Sequence, residues 1–322
     1  MEVFISHRSA LQYWRKQQAA RDASERPLRR KNLPDAAPCS SMLLESFALG
    51  FPLPLDVMVS TQNAKRSSVG IRFHTYAGAM PDGCFVRIGK DFYVASPELC
   101  FLQMSCELSF LKLVELGFEL CGSYAKHEGV PLKKDFSFTE DFYKRGSGLS
   151  SKKLLSLFIS RMRGAHGIKN AQRALRFLGD GSASPRETML AMLLTLPNML
   201  GGYALPAPEL NAKITPSLQA RKGSSKQFYY CDLYWPDFKL AVEYDSNMYH
   251  SGAEHIARDS IRRNALALSG IDVITVTNNQ LTSTLELAKV AKRIADKTAS
   301  RLRHKEYARF SEAHQKLRDT FK

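Results

Sequence analysis

The sequence contains no apolar run long enough to cross a membrane. No stretch reaches the ~18 to 20 consecutive apolar residues that a spanning helix needs. The first residues, MEVFISHRSALQYWRKQ, also lack the apolar segment and the small-residue cleavage site of a signal peptide. We therefore expect a cytoplasmic protein with no membrane partner.

Cysteines are few and are never closely paired. The six lie at positions 39, 84, 100, 106, 121 and 231, with no CxxC pair among them. This spacing argues against a zinc finger and against a disulfide framework in a chain of 322 residues. We expect reduced, mostly buried thiols. Internal repeats and low-complexity segments are also absent.

Acidic residues are outnumbered by basic ones. Lysine and arginine total 46 against 31 aspartates and glutamates, a formal net charge of +15. Such an excess favours a polyanionic partner, such as nucleic acid or an anionic surface. Basic residues cluster at both ends of the chain, where they either contact phosphates or form a solvated helix face and a solubilising linker. The clusters are Arg26, Arg29, Arg30 and Lys31 near the start, and Lys289, Lys292, Arg293, Lys297, Arg301, Arg303, Lys305 and Arg309 near the end. The candidates for nucleic-acid binding are Lys292, Arg293, Lys297, Arg301 and Arg303.

The length and the 44% of hydrophobic residues predict two globular domains. Helical spacing, short β-branched segments and polar breaks predict an α+β domain in the first half. Its predicted elements are an amphipathic helix over 4–20, a linker over 22–38, a small sheet over 53–94, helices at 97–117 and 139–142, and a helical pair within 152–178. The predicted segments are an amino-terminal helix and basic linker (1–38), the α+β domain (39–180) and a second domain (181–322).

The second domain begins with a helix whose start is well marked. Ser184 is a good N-cap, Pro185 suits the first helical position, and Glu187 follows the cap by three residues. Beyond this helix the pattern predicts an α/β fold with the order αβββαβ. The predicted elements are a helix to about 196, strands at 205–214, 228–234 and 238–245, a turn at 235–237, a helix at 254–269, a strand at 273–277 and a long basic helix from 281.

Two carboxylates fall on one face of a predicted strand. Side chains alternate within 238–245, so Glu243 and Asp245 point to the same side. Asp232, on the preceding strand, lies opposite or diagonal to them, depending on a register that the sequence does not fix. Three clustered acids repel one another unless a cation lies among them, and Mg²⁺ prefers carboxylate oxygens. Alternatively, Glu243 and Asp245 line the solvated face of a half-exposed strand.

An ordered set of residues in the second domain resembles one nuclease family. The set is Glu187 in a helix, Asp232, VEYD at 242–245, His250, Asp259 with Arg262, and GIDVITVT at 270–277. Together these residues resemble the PD-(D/E)XK nuclease superfamily, in the branch close to the very-short-patch-repair (Vsr) mismatch endonucleases, over about 184–281. The resemblance implies a restriction-endonuclease-like core with a mixed sheet and metal-dependent hydrolysis of phosphodiester bonds.

The resemblance also implies roles for individual residues. Asp232 and Glu243 match the acids that bind Mg²⁺ or Mn²⁺, and Asp245, a third candidate ligand, stands where the superfamily has its lysine. His250 is the natural substitute for that lysine in proton transfer. The alternative for His250 is a structural, hydrogen-bonding role.

Two further residues have two interpretations each. Glu187 matches the acid that holds a metal-bound water in the family, and it is equally the glutamate of a helix capping box. Arg262 either faces the scissile phosphate as a planar, permanently charged donor or forms an i, i+3 salt bridge with Asp259. The two roles of Arg262 are compatible with each other.

The first half carries a second resemblance. SHRSALQYW at 6–14, VASPELCFLQ at 94–103 and LCGSY at 120–124 are similar to the domain of AbiEi-type abortive-infection antitoxins. That domain frequently precedes the nuclease-like domain in bacterial proteins. The start of the chain does not show the pattern of a winged helix, through which such antitoxins bind DNA.

These patterns lead to a functional expectation and two rivals. We expect a metal-dependent endonuclease or nickase that hydrolyses phosphodiester bonds of DNA in bacterial genome maintenance or phage defence. The first rival is a catalytically silent, nucleic-acid-binding or antitoxin-like regulator on a nuclease scaffold, and the second is a protein-interaction module. The expected partners are nucleic acid, a second copy of the chain in a homodimer, or another protein of a defence system.

Overall fold

The computed structural model divides into two compact units, 1–178 and 179–322. Each unit combines helices with a mixed β-sheet, which confirms the α/β class. No helix within the described part of the chain is long and apolar enough to span a membrane. The structure describes residues 2–16, 33, 46, 49–62, 70–126, 142–217, 220, 227–245, 253–302 and 307–321.

A five-stranded sheet with short helices forms the first unit. Its elements are β1 (Val3–Ile5), α1 (His7–Lys16), β2 (Leu55–Val59), β3 (Ile71–Thr75), β4 (Phe85–Arg87), β5 (Phe92–Ala95), α2 (Pro97–Met104), α3 (Phe110–Cys121), β6 (Tyr124–Lys126), β7 (Phe142–Lys144), α4 (Lys152–Arg161) and α5 (Ile168–Leu175). The strand order is β3-β2-β1-β5-β4. β1 is parallel to β5 and antiparallel to β2. The predicted helical pair within 152–178 is confirmed as α4 and α5.

Three segments of the first unit differ from the predictions, and the first is the helix predicted at 97–117, which is divided into α2 and α3. The helix predicted over 4–20 begins only at His7, because Phe4 and Ile5 belong to β1, the buried central strand. A short apolar segment fits a strand or a helix equally well, and pairing on both edges decides for the strand. The helix predicted over 139–142 is wrong at Phe142, which begins β7. The linker over 22–38, with its arginine cluster, lies almost entirely outside the described residues.

Buried polar contacts attach α1 to its unit. The indole Nε1 of Trp14 donates to the carbonyl oxygen of Ala95 at 2.7 Å. The guanidinium of Arg15 donates to both carboxylate oxygens of Glu119, at 2.9 and 2.8 Å. Burial raises the pKa of Glu119, but Arg15 and the N–H of Lys126 together hold that pKa below its ordinary value. This ion pair is therefore a structural anchor of α1.

The second unit has the predicted αβββαβ order followed by further helices. Its elements are α6 (Pro185–Thr195), β8 (Glu209–Ile214), β9 (Tyr229–Trp235), β10 (Leu240–Asp245), α7 (Ala253–Leu268), β11 (Asp272–Thr277), α8 (Asn278–Thr282), α9 (Thr284–Lys297) and α10 (Tyr307–Asp319). The strand order is β11-β10-β9-β8. β10 is parallel to β11 and antiparallel to β9. The sheet is therefore mixed, as predicted.

The start of α6 is confirmed, whereas the long helix predicted from 281 is wrong. Ser184 Oγ accepts the N–H of Glu187 at 3.1 Å, and Pro185 is the first helical residue. At the other end, Thr277 caps α8 and Ser283 caps α9. Hydroxyl side chains that bind nearby backbone N–H groups favour helix starts over helix interiors. The single predicted helix is therefore divided.

The predicted strand over 238–245 is shorter in the structure. Residues Pro236–Phe238 form a turn of 3₁₀ helix, and Lys239 has a φ of 45°. β10 consequently begins at Leu240. The strand predicted from 205 likewise begins later, at Glu209.

Candidate active site

The predicted acids lie on β9 and β10, two neighbouring strands of the second unit. Ala241 pairs with Tyr234 and Val242 with Leu233. Glu243 and Asp232 are the residues next to this last pair, one on each strand. Asp232 Oδ2 accepts the backbone N–H of Tyr244 at 2.7 Å. The side chain of Asp232 therefore bonds directly to the strand that carries Glu243.

The side of the sheet that carries Glu243 is covered rather than solvated. Ala241 packs in one core cluster with Cys231 and with Ala265 and Leu266 of α7. The side chain of Glu243 is only 14% exposed. The alternative of a solvated strand face is therefore wrong for Glu243, because α7 lies over that side of the sheet.

Arg262 of α7 brings a positive charge to both acids. Its Nη2 lies 2.7 Å from Oε1 of Glu243 and also donates to the carbonyl oxygen of Tyr230. Burial raises the pKa of the Asp232 carboxyl above its ordinary value, although the hydrogen bond from Tyr244 and the charge of Arg262 act to lower it. One guanidinium thus compensates two carboxylates. The side chain of Asp259, the other predicted partner of Arg262, lies outside the described residues.

Cys231 is a neighbour of this site that the sequence did not indicate. Burial, followed by the negative charge of Glu243, raises the pKa of its thiol to about 12. Cys231 is therefore a neutral thiol at physiological pH. The sequence predicted only that its cysteines are mostly buried, because the pairing of strands that brings this thiol to Glu243 is not local. Among the described cysteines, 84, 100, 121 and 231 are buried and Cys106 is exposed.

The remaining candidates differ in how they relate to these acids. Asp245 ends β10, where its partner on β11 is Thr277, and strand alternation puts it on the side of Glu243. Glu187 accepts the Ser184 hydroxyl at 2.9 Å and the N–H of Ala183 at 2.8 Å. Glu187 therefore caps α6, and its link to a metal-bound water stays a prediction. His250 lies outside the described residues.

The basic candidates for nucleic-acid binding lie on and after α9. Lys292, Arg293 and Arg301 are exposed. Lys297 forms an ion pair with Asp272 at the start of β11, so it has a structural partner. Arg303 lies outside the described residues. The exposed face of α9 is therefore where a phosphate backbone has access.

The donor set of the acids fits a hard divalent cation. Asp232 and Glu243 supply carboxylate oxygens, the preferred ligands of Mg²⁺ and Mn²⁺. An ionised carboxylate offers about four acceptor positions, so both acids can bind an ion in addition to their contacts with Tyr244 and Arg262. Asp245 follows two residues later on the same side of β10, but the ligand atoms of Asp232, Glu243 and Asp245 do not all lie within 4.8 Å of one another.

Comparisons with known proteins give a limited result. The chain is similar to the uncharacterized proteins MT2308 and Rv2248 of two strains of Mycobacterium tuberculosis, with 29% identity to each over 137 residues. The match covers 42% of this chain and 45% of each relative, so the chain spans less than half the length of the curated relatives it matches. No protein-family model and no solved structure matches the chain.

Proposed function

We propose that this protein is a metal-dependent endonuclease or nickase that hydrolyses phosphodiester bonds of DNA, with its active site between β9, β10 and α7. The observation that supports it most is that the partly buried carboxylates of Asp232 and Glu243 both lie near Arg262. Neighbouring carboxylates withdrawn from water destabilise a fold unless positive charge compensates them. Their presence supports a cation-binding role.

Each residue of the proposed site has its own role in hydrolysis. Asp232 and Glu243 hold the ion, and Asp245 is the further ligand. When bound, Mg²⁺ or Mn²⁺ polarises the phosphoryl oxygens and lowers the pKa of the attacking water. Arg262 stays charged at every relevant pH and presents a planar fork of donors, which suits it to orient the phosphate. His250 is the proposed proton carrier, and exposed Lys292 and Arg293 bind the backbone of the DNA.

A second candidate function is DNA binding without cleavage. Asp245 stands at the position of the motif lysine, and Arg262 already compensates Glu243 at 2.7 Å. In such a scaffold the Arg262 guanidinium supplies the positive charge that the ion would otherwise supply. The fold is then stable even though the protein does not catalyse hydrolysis. This candidate predicts retention of DNA by the protein and no hydrolysis.

Plasmid nicking by the purified protein in Mg²⁺ or Mn²⁺ tests the proposal. We expect Asp232→Asn and Glu243→Gln each to lower the nicking rate by about 100-fold or more, the scale of losses at disrupted metal sites. The control is Asp237→Asn, since Asp237 is an exposed acid in the turn between the same two strands, and this variant should nick as fast as the wild type. Nicking that persists in both site variants contradicts the proposal. DNA binding without nicking by the wild type supports the second candidate.

A further inference from the structure

A second cluster of chemically active side chains lies in the first unit. One ligand atom from each of His7, His74 and Glu107 lies within 4.8 Å of the other two. His7 begins α1, His74 belongs to β3 and Glu107 follows α2. The side chains come from positions far apart in the sequence, so the fold alone brings them together.

A buried carboxylate supports one of the two histidines. His74 Nε2 lies 2.8 Å from Oδ1 of Asp56, whose side chain is 2% exposed. Arg72 Nη1 and the backbone N–H of Ser9 also bind this carboxylate, at 3.3 and 3.4 Å. In metal sites, a ligating histidine commonly uses its second ring nitrogen in this way, which fixes the tautomer and the orientation of the ring. Asp56 therefore leaves Nδ1 of His74 as the electron-pair donor.

The second histidine is held by contacts at its backbone and its ring. His7 has a φ of 47°, and its N–H donates to Oε1 of Gln103 at 2.9 Å. Its Nδ1 lies 3.0 Å from the Ser6 hydroxyl, so Nε2 is the ring nitrogen that remains to donate an electron pair to a metal ion. The rings of His7 and His74 stack with centroids 3.5 Å apart and planes inclined by 14°. Both imidazoles thus lie close to the carboxylate of Glu107.

We propose that the first unit binds one divalent transition-metal ion, with Zn²⁺ the best match, through His7, His74 and Glu107. Two imidazoles and a carboxylate form a known type of zinc donor set, and three protein ligands leave a fourth position for water. The nitrogen donors distinguish this site from the acids of the second unit, whose all-oxygen set suits Mg²⁺.

Binding requires two small rearrangements. The two rings rotate out of their stack so that their lone pairs converge on the ion. Arg8, which lies 2.9 Å from Glu107, releases it. Arg8 is 62% exposed, and exposed ion pairs contribute little to stability, so this exchange is easy.

Titration of the full chain with Zn²⁺, in a metal-free preparation that carries no histidine tag, tests the proposal. Isothermal titration calorimetry should show that the protein binds one equivalent of Zn²⁺ and that millimolar Mg²⁺ does not displace it. Co²⁺ bound in place of Zn²⁺ should give the visible absorption of a site with a low coordination number. We expect His7→Ala and His74→Ala each to weaken this binding about 100-fold, and Glu107→Gln about 10-fold, within the range for disturbed metal sites. His166→Ala is the matched control, because His166 is exposed in the same unit.

The outcomes separate the proposal from its alternatives. Glu107→Gln alters a partly exposed side chain, so it reports on the site even if a histidine variant fails to fold. Circular dichroism checks the fold of each variant. Zn²⁺ binding that is absent in the wild type, unchanged in the folded histidine and glutamate variants, or lost only in Asp232→Asn overturns the proposal.

Discussion

Arg262 determines the charge balance of the acids in the second unit. Its ion pair with Glu243, and the lowering effect of its charge on the pKa of Asp232, oppose the effect of burial on both carboxylates. A bound divalent ion would make the same contribution with a larger charge. The guanidinium and the ion are therefore expected to share one electrostatic role at this site.

Replacing this arginine tests that idea. Arg262→Met should lower the free energy of unfolding in EDTA by about 2 kcal/mol, because a hydrogen bond to a charged group contributes on that order. Mg²⁺ should then raise the melting temperature of the variant more than that of the wild type, because the ion replaces the missing charge. Thermal unfolding followed by circular dichroism measures both effects. Arg263→Met, an exposed neighbour, is the control, and an equal Mg²⁺ effect on all three proteins argues against a shared role.

In the first unit, Glu119 is expected to be the most sensitive carboxylate. Glu119→Gln leaves Arg15 uncompensated, and breaking a buried pair costs about 3 kcal/mol or more. Because the folded pKa of Glu119 lies below its ordinary value of 4.5, its contribution is complete above that value and is lost as the pH falls through the lowered pKa. The difference between wild type and variant should therefore shrink in acid.

Urea denaturation at pH 7 and at pH 3 checks this expectation. Asp82→Asn is the control, since Asp82 is an exposed acid of the same unit and surface changes usually stay within about 0.5 kcal/mol. A difference between wild type and Glu119→Gln that is equal at both pH values would rule out the charge of Glu119 as its cause.

Among the elements, those with local signals were predictable. The cap, proline and glutamate that begin α6 act within one turn of helix, so the sequence shows them directly. The division of the carboxyl-terminal helical segment at Ser283 also had a local signal, a hydroxyl residue, but helix periodicity obscured it. β1 had no local signal, because a three-residue apolar segment becomes a strand only by pairing with β2 and β5.

Docking of α10 depends on a glycine in the turn that follows α6. Gly201 has a φ of +89°, and a Cβ there would lie 2.3 Å from the carbonyl oxygen of Ala313 in α10. Its own carbonyl oxygen lies 2.7 Å from Nδ1 of His314. Gly201→Ala should therefore cost about 3 kcal/mol, from the left-handed backbone and overpacking together.

A second glycine of the same unit provides the control for this change. Gly270 has a φ of +74°, and the only contact a Cβ there would make with the residues that the structure describes is with the Lys239 side chain, at 3.9 Å. Gly270→Ala should cost about 1 kcal/mol, from the backbone alone. Urea denaturation compares the two variants. Equal losses would show that contact with α10 does not depend on the small size of Gly201.

At the scale of the whole molecule, the net charge of +15 predicts salt-dependent binding to DNA. The logarithm of the binding constant should fall linearly with the logarithm of salt concentration, by about 0.9 per phosphate contact. Replacing both Lys292 and Arg293 by alanine should reduce that slope by between about 1 and 2. Fluorescence anisotropy with labelled duplex at several salt concentrations measures it.

The control for this surface is Lys316→Ala on α10. Lys316 pairs with Glu312 at 2.7 Å, so its removal should leave the slope nearly unchanged. A slope that changes equally in both variants would show that binding follows net charge rather than the face of α9.

The sequence by itself determined the α/β class, the start of α6 and the set of acids, because each depends on neighbours within a few residues. Alternation along the strand predicts that Glu243 and Asp245 share one side, but it does not predict which residues of distant segments lie near Asp232. Only the tertiary structure decided that Asp232 and Glu243 lie near Arg262, that α7 covers Glu243, and that His7 stacks on His74. These features arise from strand pairing and packing between distant segments, which local sequence patterns do not encode.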